Sequence, residues 1–187
     1  MRDFVPCGLT FLTQGKTEIV HNFLKQTLRL QIKERFLDFL EAGRGLMPAS
    51  FKVINTSQKQ YLKPDFGDHA IGRVTPVDSC LWWLLLLSAY GKATGVYSLA
   101  HSPEGQKGIR LIMELCLSAR FDMYPTLLVP DGACMIDRRM GINGHPLEIQ
   151  ALFYMALKCA KELLLDTQEN EKTKQAAKNR LQPLVDH

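Results

Sequence analysis

A carboxylate stands at the start of the most apolar segment of the chain. Asp78 lies in Thr75-Pro76-Val77-Asp78-Ser79-Cys80-Leu81-Trp82-Trp83. The amino end of a helix favours the carboxylate form, whereas neighbouring indoles strip it of water and push its pKa upward, which is what a general acid needs. A plain capping role accounts for the same placement, and spacing alone leaves both readings open. Trp82 and Trp83 are adjacent, so they point to different sides of the helix. One can fill the core while the other stacks on the apolar face of a sugar ring; two core indoles are the alternative.

Two further groups carry polar chemistry. Asp131-Gly132 and Asp137-Arg138-Arg139-Met140-Gly141 sit in a Gly-rich connection. Paired arginines beside a carboxylate can hold hydroxyl or carboxylate groups through forked hydrogen bonds, or simply form an internal salt bridge. Glu148-Ile149-Gln150 follows Pro146, which puts Glu148 in the first turn of a helix, as a pocket residue or as a cap. Arg2-Asp3 and Asp65-Phe66-Gly67-Asp68-His69 are weaker by pattern. Asp78, Asp137 and Glu148 all fall at helix starts or in the connections before them. If those ends share a cavity, several carboxylates, paired arginines and an indole around it suit carbohydrate chemistry. No His/Cys/Asp set has metal-ligand spacing and no glycine loop can cradle a phosphate, so neither metal nor cofactor is expected.

The elements that position these residues read as helices. Thr17 can cap a helix with Ile19, Val20, Phe23, Leu24 and Leu28 on its apolar face. A second helical pattern over 32–40 places Phe36, Leu37 and Leu40 together and stops at Gly43-Arg44-Gly45. Residues 46–75 form a long connection, with Phe51-Lys52-Val53-Ile54 as a short strand. Pro76 opens an apolar helix over 77–94 that Gly95 closes. Ser102-Pro103-Glu104 starts the next, with Ile109, Ile112, Met113, Cys116 and Leu117 as its buried stripe. After a second long connection over 121–144, Pro146 opens a helix whose face includes Ile149, Leu152, Phe153, Ala156, Ala160 and Leu163. From Thr167 onward the chain turns polar and reads as a solvated loop and helix. The expected class is all-α. Long connections of this kind suit a toroid of helical hairpins, with its pocket at one end, better than a four-helix bundle.

Composition narrows the partners. The 187 residues carry a net charge of +4, with basic residues spread along the chain, so a nucleic-acid surface is not expected. The longest apolar run, 80–90, is too short to span a bilayer, and the first residues lack a signal-peptide pattern. The five cysteines show no CxxC spacing and read as reduced core thiols, which implies a cytoplasmic protein.

The stretches RDFVPCGLTFL, LMPASFKV, DFGDHAIGRVTPVDSCLWWLLLLSAYGKATG, CLSARFDMYPTLLVPDGACMIDRRMG and GHPLEIQALFYMALKCA closely resemble the neutral/alkaline invertases, glycoside hydrolase family 100 of cyanobacteria and plants. Cys80 and His145 are closer to the cyanobacterial branch. The resemblance covers residues 2 to about 165 and leaves 166–187 as a polar C-terminal segment of one partial catalytic domain. It implies an (α/α)6 barrel, incomplete in this chain, that hydrolyses sucrose or a related fructoside to glucose and fructose with inversion and without a metal. It assigns the general acid to Asp78. Arg2 and Asp3 become sugar-holding residues, and Trp82, Asp137, Arg138, Glu148 and Gln150 candidate pocket residues. In the family the second catalytic carboxylate lies farther downstream, and Glu148 matches a different motif. The implied product is therefore a catalytic fragment or an inactive remnant with open helical faces that self-associates.

Overall fold

The computed structural model describes residues 1–33, 43–67, 75–119, 121–134 and 142–187. Seven helices and seven short strands are described. The helices are α1 (Phe4–Thr13), α2 (Thr17–Arg29), α3 (Ser79–Thr94), α4 (Ser98–His101), α5 (Pro103–Cys116), α6 (Leu147–Leu163) and α7 (Gln168–Asp186). The strands are β1 (Ser50–Asn55), β2 (Gln60–Asp65), β3 (Thr75–Pro76), β4 (Asp122–Met123), β5 (Thr126–Leu127), β6 (Val129–Ala133) and β7 (Ile142–Gly144). The chain is mostly helical, as its periodicity implies, and the strands lie in or at the edges of the two long connections: Pro76, expected to open the apolar helix, ends β3, and α3 starts at Ser79.

α3 is the central element because it is apolar on nearly every side. Leu81, Trp83, Leu84, Leu86 and Leu87 are at most 1% exposed, each leucine worth about 2 kcal/mol of burial. α1, α2, α5 and α6 all pack against it. Gly95 ends it in the left-handed conformation (φ 71°), donating its N–H to Gly91 O at 2.8 Å. Ser102 caps α5 as its sequence promises, its hydroxyl accepting from Gly105 N–H at 3.0 Å. The expected faces of α5 and α6 are buried, except that Leu117 lies just past α5 and is only partly covered.

Three expectations need correction. Thr17 is the first helical residue rather than the cap, since Gly15 (φ 73°) and Lys16 turn the chain and no side chain caps α2. The pattern over 32–40 falls mostly outside the described residues, and its first two, Ile32 and Lys33, are not helical. The tail is not merely solvated: α7 packs on α5 and α6, with Asn170, Ala177 and Arg180 buried.

A polar network fastens α7. Asn170 Nδ2 donates to Gln106 Oε1 (2.8 Å) and Leu165 O (2.9 Å), while its Oδ1 accepts from Arg110 Nη1 (2.9 Å). Gln106 Nε2 donates to Ala100 O and Leu163 O, and its Oε1 also accepts from Leu165 N–H. A buried network of this kind stabilises only when every member is satisfied.

The strands bring distant segments to the start of α3. β1 and β2 form an antiparallel hairpin in the first connection. In the second, β6 runs parallel to β3 (Thr75↔Gly132, Pro76↔Ala133) and antiparallel to β7. Gly132 permits this approach: a Cβ there would lie 2.5 Å from Val77 Cγ1 and 2.7 Å from Val129 Cγ1. Apolar surface remains outside, with Leu147 83%, Tyr124 63% and Val185 61% exposed. Among the described residues no helix is long and apolar enough to cross a membrane.

Asn170→Ala removes three hydrogen bonds from the buried network that fastens α7 and is expected to cost about 2 kcal/mol in urea unfolding. Gln175→Ala, on the exposed side of α7, is expected to stay within about 0.5 kcal/mol.

Candidate active site

The sheet and helix α3 together seat Asp78. β3 delivers the chain to Val77, paired with β6, and Asp78 occupies the position just before α3. Its backbone is already helical (φ −89°, ψ −18°), and its carbonyl accepts from Trp82 N–H at 3.0 Å. Its side chain makes no capping hydrogen bond, so the carboxyl is not spent on the helix end. It is completely buried and faces Arg2, whose Nη2 lies 3.3 Å from Oδ1.

Arg2 reaches this position from the opposite end of the sequence. The Met1 amino group donates to Ala49 O at 2.5 Å, and Phe4 N–H closes a turn on Met1 O. Arg2 is thereby turned inward, whereas Asp3, at the start of α1, faces solvent. The Arg2-Asp3 pair does not enter the cluster as a unit.

Burial dominates the electrostatics. The Asp78 pKa is pushed up from 3.8 to about 6, chiefly because burial penalises the charged form. The Arg2 guanidinium and the residue's own backbone pull it down, while the negative charge of Glu148 pushes it up. The Trp82 indole N–H approaches closely enough to favour the anion slightly, without closing a well-directed hydrogen bond. Arg2, Asp78, Trp82 and Glu148 thus share one neighbourhood.

The two indoles divide their roles. Trp83 is core, its Nε1–H donating to Thr27 Oγ1 at 3.0 Å. Trp82 is partly exposed and its buried Nε1 has no hydrogen-bond partner. Most of the buried side-chain polar atoms without hydrogen bonds among the described residues gather here: Arg2 Nη1 and Nη2, Asp78 Oδ1 and Oδ2, Ser79 Oγ and Trp82 Nε1. Native interiors leave few such groups unsatisfied, so a cluster of donors and acceptors marks a place suited to polyhydroxylic ligands.

Gln150 does different work. Its Oε1 accepts from Leu127 N–H and its Nε2 donates to Leu127 O, both at 2.9 Å, like an extra strand residue beside β5. Its amide is committed to the backbone. Asp137 and Arg138 lie outside the described residues, in the connection between β6 and β7. Asp68, His69 and Arg139 also lie outside them.

Ser79 was not singled out by sequence, nor was the pairing of Arg2 with Asp78 rather than with its neighbour. Arg2 lies 76 positions from its partner, and no local spacing signals such a contact. Among the described residues no group of His, Cys, Asp and Glu could hold a metal. Two grooves, of about 410 and 590 Å³, open beside α2 and are lined by other residues, including Lys25 and Arg29 in the first and Tyr61 in the second. Neither includes the buried carboxyl.

The model of the alkaline and neutral invertase family matches residues 1–187. The chain is 55% identical over its whole length to alkaline/neutral invertase C, mitochondrial, of Arabidopsis thaliana, covering 29% of that protein. It is 54% identical over its whole length to cytosolic invertase 1 of Oryza sativa subsp. japonica, covering 34%. Over 88% of its length it is 58% identical to neutral/alkaline invertase 1, mitochondrial, of the same rice, covering 27%. The chain spans about a third of the length of these relatives. With every residue inside the family match and relatives above 50% identity, the chain belongs to the alkaline and neutral invertase family.

Proposed function

We propose that Asp78 is the general acid of an inverting hydrolase that splits sucrose into glucose and fructose, and that this chain supplies the acid-bearing helices of an (α/α)6 barrel. One observation carries the reading. A wholly buried carboxyl with a pKa raised to about 6 sits beside the Arg2 guanidinium and the Trp82 indole, and none of the three makes a well-directed side-chain hydrogen bond. Glycosidic cleavage needs a carboxyl that still holds its proton near neutral pH and delivers it to the leaving oxygen. With this pKa about half the molecules are protonated at pH 6 and about a tenth at pH 7.

In this reading Arg2 and Ser79 hold sugar hydroxyls beside the acid, Trp82 offers its ring face, and the charge of Glu148 adds to the burial that keeps the acid protonated. Asp137 and Arg138 are assigned to the sugar by motif, and Asp3 by its place beside Arg2. Gln150 serves the pocket by fixing its wall. Five free cysteines, four of them buried, support a reducing compartment such as the cytoplasm. Exposed Leu147, Met123 and Tyr124 support association with further protein, either another copy or the rest of a barrel.

Inversion also requires a second carboxylate about 6.5–9.5 Å from the first, across the sugar, to activate water. Glu148 matches another motif, and Asp78 is sealed from solvent. We therefore infer that the chain alone does not turn over sucrose. Alone it is expected to release no glucose from sucrose. Exchanged for the matching part of rice cytosolic invertase, it is expected to give an active hybrid, and Asp78→Asn to lower that hybrid's kcat by about 10²–10⁴. A hybrid whose rate survives Asp78→Asn sinks the assignment.

The raised pKa also shapes stability. The folded chain holds the Asp78 proton more tightly than the unfolded chain does. This contribution is complete below the unfolded value of 3.8 and is lost as pH rises through about 6. The whole loss is about 3 kcal/mol at 1.36 kcal/mol per pH unit. Urea unfolding between pH 4 and 7 is expected to show that decline, and Asp78→Asn to flatten it; equal slopes in both proteins contradict the raised pKa.

A further inference from the structure

α7 reaches the candidate site through a sequence of contacts that the invertase reading does not use. Arg180, only 6% exposed, grips Asp122 with both ends of its guanidinium: Nη1 to Oδ1 at 2.8 Å and Nη2 to Oδ2 at 2.9 Å. Nη1 also donates to Pro125 O at 3.3 Å, and the guanidinium lies 4.5 Å from the centre of the Tyr124 ring. One side chain therefore holds both ends of the β4–β5 hairpin turn, whose register is Asp122↔Leu127 and Met123↔Thr126.

The far strand of that hairpin is tied to the start of α6 at two points. Thr126 Oγ1 donates to Met123 O, so it accepts from the His145 ring, Nδ1 to Oγ1 2.9 Å, which puts the proton on Nδ1. Leu127 exchanges two 2.9 Å hydrogen bonds with the Gln150 amide. These anchors flank Glu148, one on each side. β7 leads into the same helix and belongs to the sheet that carries β3 and hence Asp78.

We propose that Arg180 is a positioning residue of the candidate site: by clamping the β4–β5 hairpin onto α7 it fixes the first turn of α6, and so holds Glu148 toward Asp78. The pair supplies direction as well as attraction: Nη2 donates to Oδ2 and Nη1 to Pro125 O, while the Nη1–Oδ1 approach adds charge attraction without a well-directed hydrogen bond, so one planar group is oriented at two points. A lysine at 180 keeps the charge and loses the fork. The charged groups facing Asp78 among the described residues are Arg2, ahead of α1, and Glu148 on α6. Only Glu148 lies on an element held by this clamp. Loosening it weakens the repulsion that adds to burial in holding the proton on Asp78, and this favours the anion.

The proposal is tested without sugar, so its failure is distinguishable from failure of the invertase reading. The titration of Asp78 is followed by carbon NMR of its carboxyl, assigned by comparison with Asp78→Asn. Arg180→Gln is expected to move the midpoint down by about half a pH unit with the helical circular dichroism retained. Asp122→Asn cuts the same pair from its more exposed side and is expected to do likewise. Arg180→Lys is expected to fall between Arg180→Gln and the parent. Arg110→Gln loosens the other end of α7 and leaves the hairpin clamp intact, so the midpoint is expected to stay. An unchanged midpoint in whichever clamp variant folds, or an equal fall in Arg110→Gln, overturns the proposal.

Discussion

The burial of one carboxylate against one guanidinium governs this structure. At 3.3 Å, Arg2 attracts the Asp78 anion by on the order of a few kcal/mol at the effective dielectric of a protein interior. Without its desolvation cost that attraction would hold Asp78 firmly ionised. Burial outweighs it, and the pKa moves up. The balance tips this way because the pair lacks the well-directed hydrogen bonds that make a buried ion pair favourable. The result is a carboxyl poised to change its protonation state near neutral pH.

Keeping so uneasy a pair out of water demands firm surroundings. The leucines of α3 supply the apolar mass, and the helices packed around it close the interior. The start of α3 is reached by β3, which comes close to β6 only because Gly132 has no side chain. β7 carries the chain onward into α6, so the two helix starts bearing Asp78 and Glu148 grow out of one small sheet. The strands are short, yet they determine which residues meet. α7 braces the arrangement from outside through Asn170 and Arg180.

The polar atoms around Asp78 set this region apart from the rest of the interior. The Gln106–Asn170 network, also buried, satisfies its members and reads as pure structure. At Asp78 the donors and acceptors are brought together as an ion pair without well-directed hydrogen bonds. Two polar clusters within one small fold therefore differ, one closed by matched hydrogen bonds and the other held by charge and burial. That contrast sorts the polar residues by whether their hydrogen bonds are met rather than by residue type. It also explains why Gln150, a plausible sugar ligand by type, belongs with the scaffold: both ends of its amide are already matched.

The sequence by itself determined α3, α5 and α6 with most of their buried faces, and α2 apart from Ile19, which is exposed. A 3.6-residue apolar period and terminal signals such as Ser102 and Gly95 are local, and local signals survive without neighbours. It also marked Asp78, Glu148 and the tandem indoles, and through long motifs it marked the family. Tertiary structure decided which indole is core, that Arg2 leaves Asp3 to face Asp78, that Gln150 is spent on Leu127, and that the polar tail is a docked helix. α7 carried a faint signal in Ala177, Leu181 and Leu184 at helical spacing, masked by the charges around them. The remaining pairings join residues far apart in the chain. Their energies depend on burial and on exact geometry, neither of which a spacing encodes.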